Sequence, residues 1–373
     1  MMTRRLFVCL LAGPLAGQTI DRRIAMLEKM SAAQPHNAKL RVQLGLDYLQ
    51  KLRETGDGRY LDLANKAVAA VLEREPEHLD ARRARNEIHL HRHLFRLVAK
   101  ESEILLARSP NDPGLWANLG DALMELGQYP RAGKAYQRMT ELRPDLSSHS
   151  RMAWYAFVIG NAEAAMGLMR KAIEAGSPLP EQVAWCWSEL GDIQFKVGRP
   201  AEARSSFQRA LALYPALHAA HAGIARLLAA EGKRTEAIAS LERARAIRPQ
   251  VQYCAELEEL YRAAKMEKQA AASRQMLDAL AKLAGARGEK ADRTLAIIYA
   301  DQGRELDRAL ALAKAEFENR DDVYSHDALG WVLHKMGKKN EAKVEMDRAV
   351  TYGTPEPMFR KHVDAIAASL ARE

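Results

Sequence analysis

The chain has 373 residues, with 56 Lys and Arg against 48 Asp and Glu, a formal net charge of +8, 48% hydrophobic residues and 6% aromatic. Alanine, leucine, arginine, glutamate and lysine recur in nearly every stretch, the composition of helices, and the β-branched runs that a sheet core needs are missing. Collagen, a disulfide framework and wholesale disorder are excluded on the same grounds.

In chain order, Met1 to Arg5 form a basic head and Leu6 to Gly17 an apolar or small-residue run. That run is shorter than the ~20 apolar residues of a membrane span. A basic n-region, a short h-region and small residues before a cut match a secretory signal peptide over 1–17. The expected mature chain begins at Gln18, is exported to the periplasm or the extracellular space and is soluble. Gln18 stands where a lipobox would carry cysteine, so no lipid anchor is expected. Loss of Arg4 and Arg5 lowers the charge from +8 to +6. An amphipathic helix over Asp21–Ala33 follows, within an N-terminal capping segment at 18–37.

Beyond it the prolines keep time. Pro76, Pro110, Pro144, Pro178, Pro215 and Pro249 are separated by 34, 34, 34, 37 and 34 residues, and a fixed period of this size means stacked repeats. One unit reads Trp116, Leu119, Gly120, Leu123, Ala132, Tyr136, Pro144. Another reads Trp187, Leu190, Gly191, Ala203, Phe207, Pro215. Both units resemble the tetratricopeptide-repeat pattern W-x2-L-G-x2-Y…A-x3-F…P, departing at Leu123 and Gln194 and in Tyr136 for Phe. Weaker copies run through Leu44, Gly45, Tyr48 and Ala64, through Ile224, Ala225, Leu228 and Ala237, and through Leu329, Gly330, Leu333 and Ala342.

The resemblance implies an all-α fold, a right-handed superhelical α-solenoid of about nine helix-turn-helix repeats over 38–355. A C-terminal capping helix occupies 356–373. Gly120 with Ala132, and Gly191 with Ala203, are small where paired helices must approach. Gly127, Gly198 and Gly232 fall in turns that need a left-handed residue. Cys186 and Cys254 hold one motif place two repeats apart, too far for a bridge, so two free, buried thiols are expected.

No phosphate-binding glycine loop, nucleophile elbow or H-E-x-x-H helix is present, and no catalytic, cofactor-binding or metal residue is nominated. The stretch His78–Lys100 carries six basic residues and four histidines. His89 and His93 share a helical face at a spacing that can bind zinc, but no third ligand completes a site. A basic surface that gains charge in mild acid is the expectation there. The dilute charge and the lack of interleaved aromatics speak against nucleic acid.

In tetratricopeptide proteins the first helix of each repeat lines a concave groove. Carried onto the central repeats at 100° per residue, that face comprises Asn118, Asp121, Arg151, Tyr155, Trp185, Asp192 and Arg226. Arg151 and Arg226 would take a carboxylate, and Trp185 and Tyr155 an apolar side chain or a sugar face. The resulting expectation is a non-enzymatic scaffold without cofactor that binds a protein or peptide client, with a role in assembling envelope or secreted proteins. The alternatives are an exported receptor for a small peptide or glycan and, third, a metal-dependent activity at the histidine patch.

Overall fold

The computed structural model describes residues 19–286 and 292–371; the expected signal peptide at 1–17 lies outside the described residues. Among the described residues there are twenty helices and no strand. A first helix, α1 (Ile20–Ala33), precedes nine antiparallel pairs. These are α2 (Ala38–Thr55) with α3 (Arg59–Leu72), α4 (Leu79–His91) with α5 (Phe95–Arg108), and α6 (Pro113–Glu125) with α7 (Tyr129–Leu142). Then come α8 (Leu146–Val158) with α9 (Ala162–Ala175), α10 (Pro180–Lys196) with α11 (Pro200–Leu213), and α12 (His218–Ala230) with α13 (Arg234–Ile247). The last are α14 (Val251–Ala263) with α15 (Glu267–Ala286), α16 (Arg293–Asp301) with α17 (Leu306–Glu316), and α18 (Val323–Lys335) with α19 (Lys339–Ala349). A final helix, α20 (Pro357–Leu370), follows. The arrangement is that of a tetratricopeptide solenoid.

Local chemistry sets the ends. Asp112 caps α6 by accepting from the backbone of Gly114 and Leu115, with Pro113 at the first helical place, where a missing N–H costs nothing. Asp145 and Ser148 form a reciprocal capping box on α8. Gly127, Gly198 and Gly232 close the first, or A, helices of their pairs at φ 66°, 78° and 76°. Within pairs, a Cβ on Gly120 would stand 2.3 Å from the Tyr136 ring, and one on Gly191 2.9 Å from Phe207. Glycine is what lets each aromatic reach the partner helix. Cys186 and Cys254 are free and buried.

The solenoid does not stay open. It winds until the edge of one turn meets the turn before it, nearly six repeats on. The α6–α7 turn meets the segment before α18, where Asp321 N donates to Glu125 O at 3.0 Å and Val323 N to the Tyr129 hydroxyl at 3.0 Å. The α8–α9 turn meets the segment before α20, where the Thr354 hydroxyl donates to Val158 O at 2.5 Å. Earlier in the chain, Arg248, just past α13, donates to Arg53 O near the end of α2 at 3.0 Å. Ion pairs bind the same seam: Arg320 with Glu125 at 2.8 Å and Lys196 with Glu356 at 2.9 Å, while Glu316 holds Arg320 from its own side at 2.8 Å. Arg320 also lies over the Phe95 ring. Trp154 stacks on Tyr324 across the seam, centroids 5.9 Å apart and rings 12° from parallel. A single apolar cluster therefore joins Phe95 to Val158 with Cys254 to Ile366.

Candidate ligand-binding cavity

Winding the A helices inward and closing the turn shapes a partly open cavity of about 800 Å³ on the concave side, walled by residues between Arg53 and Arg248. This lies within the ~300–1,000 Å³ range of small-molecule and peptide pockets. Four residues of the expected groove set line it: Asn118, Asp121, Arg151 and Trp185. Trp185 is 38% exposed, a large share for an indole on an inner wall. Asn118 is buried and donates to Arg83 O of the preceding repeat at 3.1 Å, which ties two A helices together at the wall.

The other three residues are placed elsewhere. Tyr155 turns onto α7, where its ring occupies the space a Cβ on Gly133 would need, at 2.6 Å. The reason lies in the linker. The N-caps Asp112 and Asp145 are 145 − 112 = 33 residues apart, one fewer than the proline period. The residue standing with Asp121 is therefore Trp154, and Trp154 lines the cavity. Asp192 pairs with Lys196 at 2.8 Å, beside the seam contact to Glu356. Arg226 pairs with Glu256 at 2.9 Å and does not reach the cavity.

Electrostatics also depart from the sequence reading. The Arg151 guanidinium is held by both oxygens of Asp121, at 2.8 and 2.9 Å, and Asp121 accepts from the Tyr136 hydroxyl at 2.8 Å. Desolvation opposes its charge, but Asp121 outweighs that and holds the guanidinium firmly protonated. Arg151 and Arg226 are thus already neutralised inside the chain and are not open to a client carboxylate. Among the described residues of the cavity wall, four carboxylates, Glu54, Glu87, Glu181 and Glu189, and two guanidiniums, Arg53 and Arg248, make no ion pair. Burial pushes the Glu189 carboxyl up to about 7, with Asp192 adding to the shift and Lys196 opposing it. Burial also raises Glu87, against the pull of Arg53 and Arg151. Glu181 and Glu54 both accept from Gln50 Nε2, at 2.9 and 3.3 Å.

Sequence reasoning missed Trp154, Glu189 and the pair Arg53 and Arg248. Glu189 was within reach, since it lies one helical turn after Trp185 on the same face of α10. Trp154 needed the cap-to-cap count. Arg53 and Arg248 meet only because the superhelix closes, which no local pattern encodes.

The His78–Lys100 stretch is not the basic surface expected. Arg82 pairs with Glu77 and Glu101, Arg83 with Asp80 and Asp112, and Arg92 with Asp62. Helix α4 ends at His91, and His93 adopts φ 57°, so His89 and His93 do not share a helical face. Burial lowers His91 and His93 to about 4, which keeps both neutral in mild acid. His78 caps α4, its Nδ1 accepting from Ala81 N at 3.3 Å. Among the described residues no three His, Cys, Asp or Glu side chains gather as a metal site.

Comparison with known proteins agrees with the repeat fold. Tetratricopeptide-repeat profiles match residues 113–146 and 188–251. Among solved structures, the APC/C hetero-tetramer Cut9–Hcn1 aligns over 94% of this chain and 59% of its own, with TM-score 0.55 and 14% identity. The chain therefore spans little more than half the length of that protein. The human IFIT1 dimer with PPP-AAAA aligns over 89% of this chain and 95% of its own, with TM-score 0.52 and 14% identity. Likeness at this identity concerns the fold alone. No curated protein sequence matches the chain.

Proposed function

We propose that this chain, a tetratricopeptide-repeat protein, is a non-enzymatic scaffold that holds a protein or peptide segment in its concave cavity. The family supports a protein-interaction role in general; the cavity is the observation that carries the specific reading. Its wall combines Trp154, Trp185 and Tyr214 with charged side chains, the mixture typical of interface anchors. A segment bound there would bury the indole of Trp185, now half open. The small-ligand reading draws support from the same cavity, whose volume of about 800 Å³ suits a short occupant.

The segment at 1–17 supports export, and no described helix is long and apolar enough to cross a membrane. In an exported setting the clients would be envelope or secreted proteins. The test places a photo-crosslinking residue at Trp185 and, as a control, at Arg138 on the outer face, and identifies adducts by mass spectrometry. Adducts specific to Trp185 that disappear when Trp154 is changed to Ala support the reading. Equal adducts from both positions would sink it. N-terminal mass analysis of exported material checks the cut ahead of Gln18.

A further inference from the structure

The charge pattern inside the cavity points to the chemistry of the occupant, on the premise that the cavity is the binding site. We propose that the occupant is cationic: a lysine or arginine side chain, or an equivalent amine, set between the Trp185 indole and the Glu189 carboxylate.

Three observations carry this. Trp185 and Glu189 are four residues apart on α10, so they lie one above the other on its cavity face, and both line the cavity. The indole offers an open face, and a cation over an aromatic face gains attraction that grows as water is excluded. Glu189 is surrounded by protein yet open to the cavity, and among the described residues it has neither a hydrogen-bond donor nor an ion-pair partner. A carboxylate in that state costs free energy until an ammonium or guanidinium arrives. Lys196, the cation whose charge acts on Glu189, is engaged by Asp192 and Glu356.

The balance of the whole wall agrees. Four carboxylates stand without ion pairs, against two guanidiniums, Arg53 and Arg248. Those two are committed to structural acceptors. Arg53 donates to Gln50 Oε1, and Arg248 donates to Arg53 O and meets His218 Nε2 at 3.4 Å. The Arg53 charge also faces Glu87, Glu181 and Glu54. The arginines that a carboxylate ligand would need, Arg151 and Arg226, are taken by Asp121 and Glu256. An anionic occupant would find Arg151 and Arg226 taken and, beside Trp185, the Glu189 carboxylate, among whose neighbouring charges neither Arg53 nor Arg248 stands.

The test uses the full chain and three sets of synthetic nonapeptides sharing one apolar frame, with a central Lys, norleucine or Glu, and spermidine as a free amine. Calorimetry reads binding to the wild type, Glu189→Gln and Trp185→Phe, and intrinsic tryptophan fluorescence reads it in the two forms that keep Trp185. The expected result is a preference of at least tenfold for the Lys peptides over the norleucine ones, about 1.4 kcal/mol, that vanishes in Glu189→Gln without any loss of melting temperature. Binding of spermidine with the same Glu189 dependence would assign the site to free amines. Preference for the Glu peptides, or a Lys preference that survives Glu189→Gln, would overturn the cationic assignment and leave the cavity reading standing. Absence of binding by every peptide and by spermidine would overturn the cavity reading together with this one.

Discussion

At the scale of single residues, the contrast between Gly191 and Arg226 tests the packing. A Cβ on Gly191 already meets the Phe207 ring at 2.9 Å, and the other side of that ring approaches Gly223, where a Cβ would stand at 2.3 Å. Phe207 has nowhere to retreat. Gly191→Leu should therefore cost about 3 kcal/mol or more, read as a large drop in melting temperature. Arg226→Ala removes a half-buried ion pair with Glu256 and should cost about 0.5–1 kcal/mol. Equal shifts would refute the assigned contacts. Glu189 carries a pH signature as well. Its carboxyl is raised to about 7 by burial, so the folded state binds a proton more tightly than the unfolded chain does. Its contribution to stability is full below the ordinary glutamate value of ~4.3 and is lost as pH rises toward 7. Charges facing it include Asp192 and Lys196 on α10, with Tyr253 on α14 feeling its charge. Glu189→Gln removes this loss, so the variant should gain about 1–3 kcal/mol relative to wild type at pH 8 and almost nothing at pH 4. A constant difference across that range would mean Glu189 titrates normally.

At the scale of helices and turns, two glycines with the same backbone conformation separate two roles. Gly127 and Gly198 both have positive φ, at 66° and 78°. A Cβ on Gly198 meets nothing, whereas one on Gly127 would stand 2.1 Å from Asp321 O, across the seam. Gly198→Ala should cost only the left-handed strain, about 1 kcal/mol. Gly127→Ala should cost clearly more and should expose the amides of Asp321 and Val323 to hydrogen exchange. Equal costs would deny the seam contact. This pair also shows what was legible in the sequence. The need for glycine at 127, 198 and 232 follows from repeat spacing, because a left-handed C-cap is a local requirement. So do the helix pairs, the close approach at Gly120 and Gly191, and the separation of Cys186 from Cys254. The second reason for Gly127 is not local, since its partner lies nearly two hundred residues away. The same limit explains the groove. Repeat spacing placed Asn118, Asp121 and Trp185 on the inner face, but a linker one residue short rotated Tyr155 off it and Trp154 onto it. That shift shows in the positions of Asp112 and Asp145 once capping, and not proline, is used to mark each start. Charge pairing was beyond reach: Arg151 reads as an open cation until Asp121, thirty residues away, is seen to hold it.

For the whole molecule the consequence of closure is cooperative. An open solenoid is stabilised by its repeats and by contacts between neighbours alone. Here the segments before α18 and α20 also bond to the turns after α6 and α8, so distant repeats share their stability. The seam also bounds the cavity, since Trp154 both lines the wall and stacks on Tyr324. Opening it would widen access to Trp185 and Glu189. Tyr129→Phe is a mild way to do so. The Tyr129 hydroxyl accepts from Val323 N at 3.0 Å in a buried setting, and its loss strands an amide donor at a cost of about 1–3 kcal/mol. The ring remains and keeps its edge-on contact with Tyr352, so local packing is preserved. Combined with Thr354→Val, which removes the donor to Val158 O, the change should loosen the seam at two points without touching any repeat interior. Small-angle scattering should then show a larger radius of gyration at unchanged helicity by circular dichroism, and thermal unfolding should broaden. A ligand held in the cavity should enter and leave faster in stopped-flow fluorescence. Unchanged dimensions and rates in the double variant would show that neighbour contacts alone hold the superhelix at this pitch, and that the seam merely rests against it.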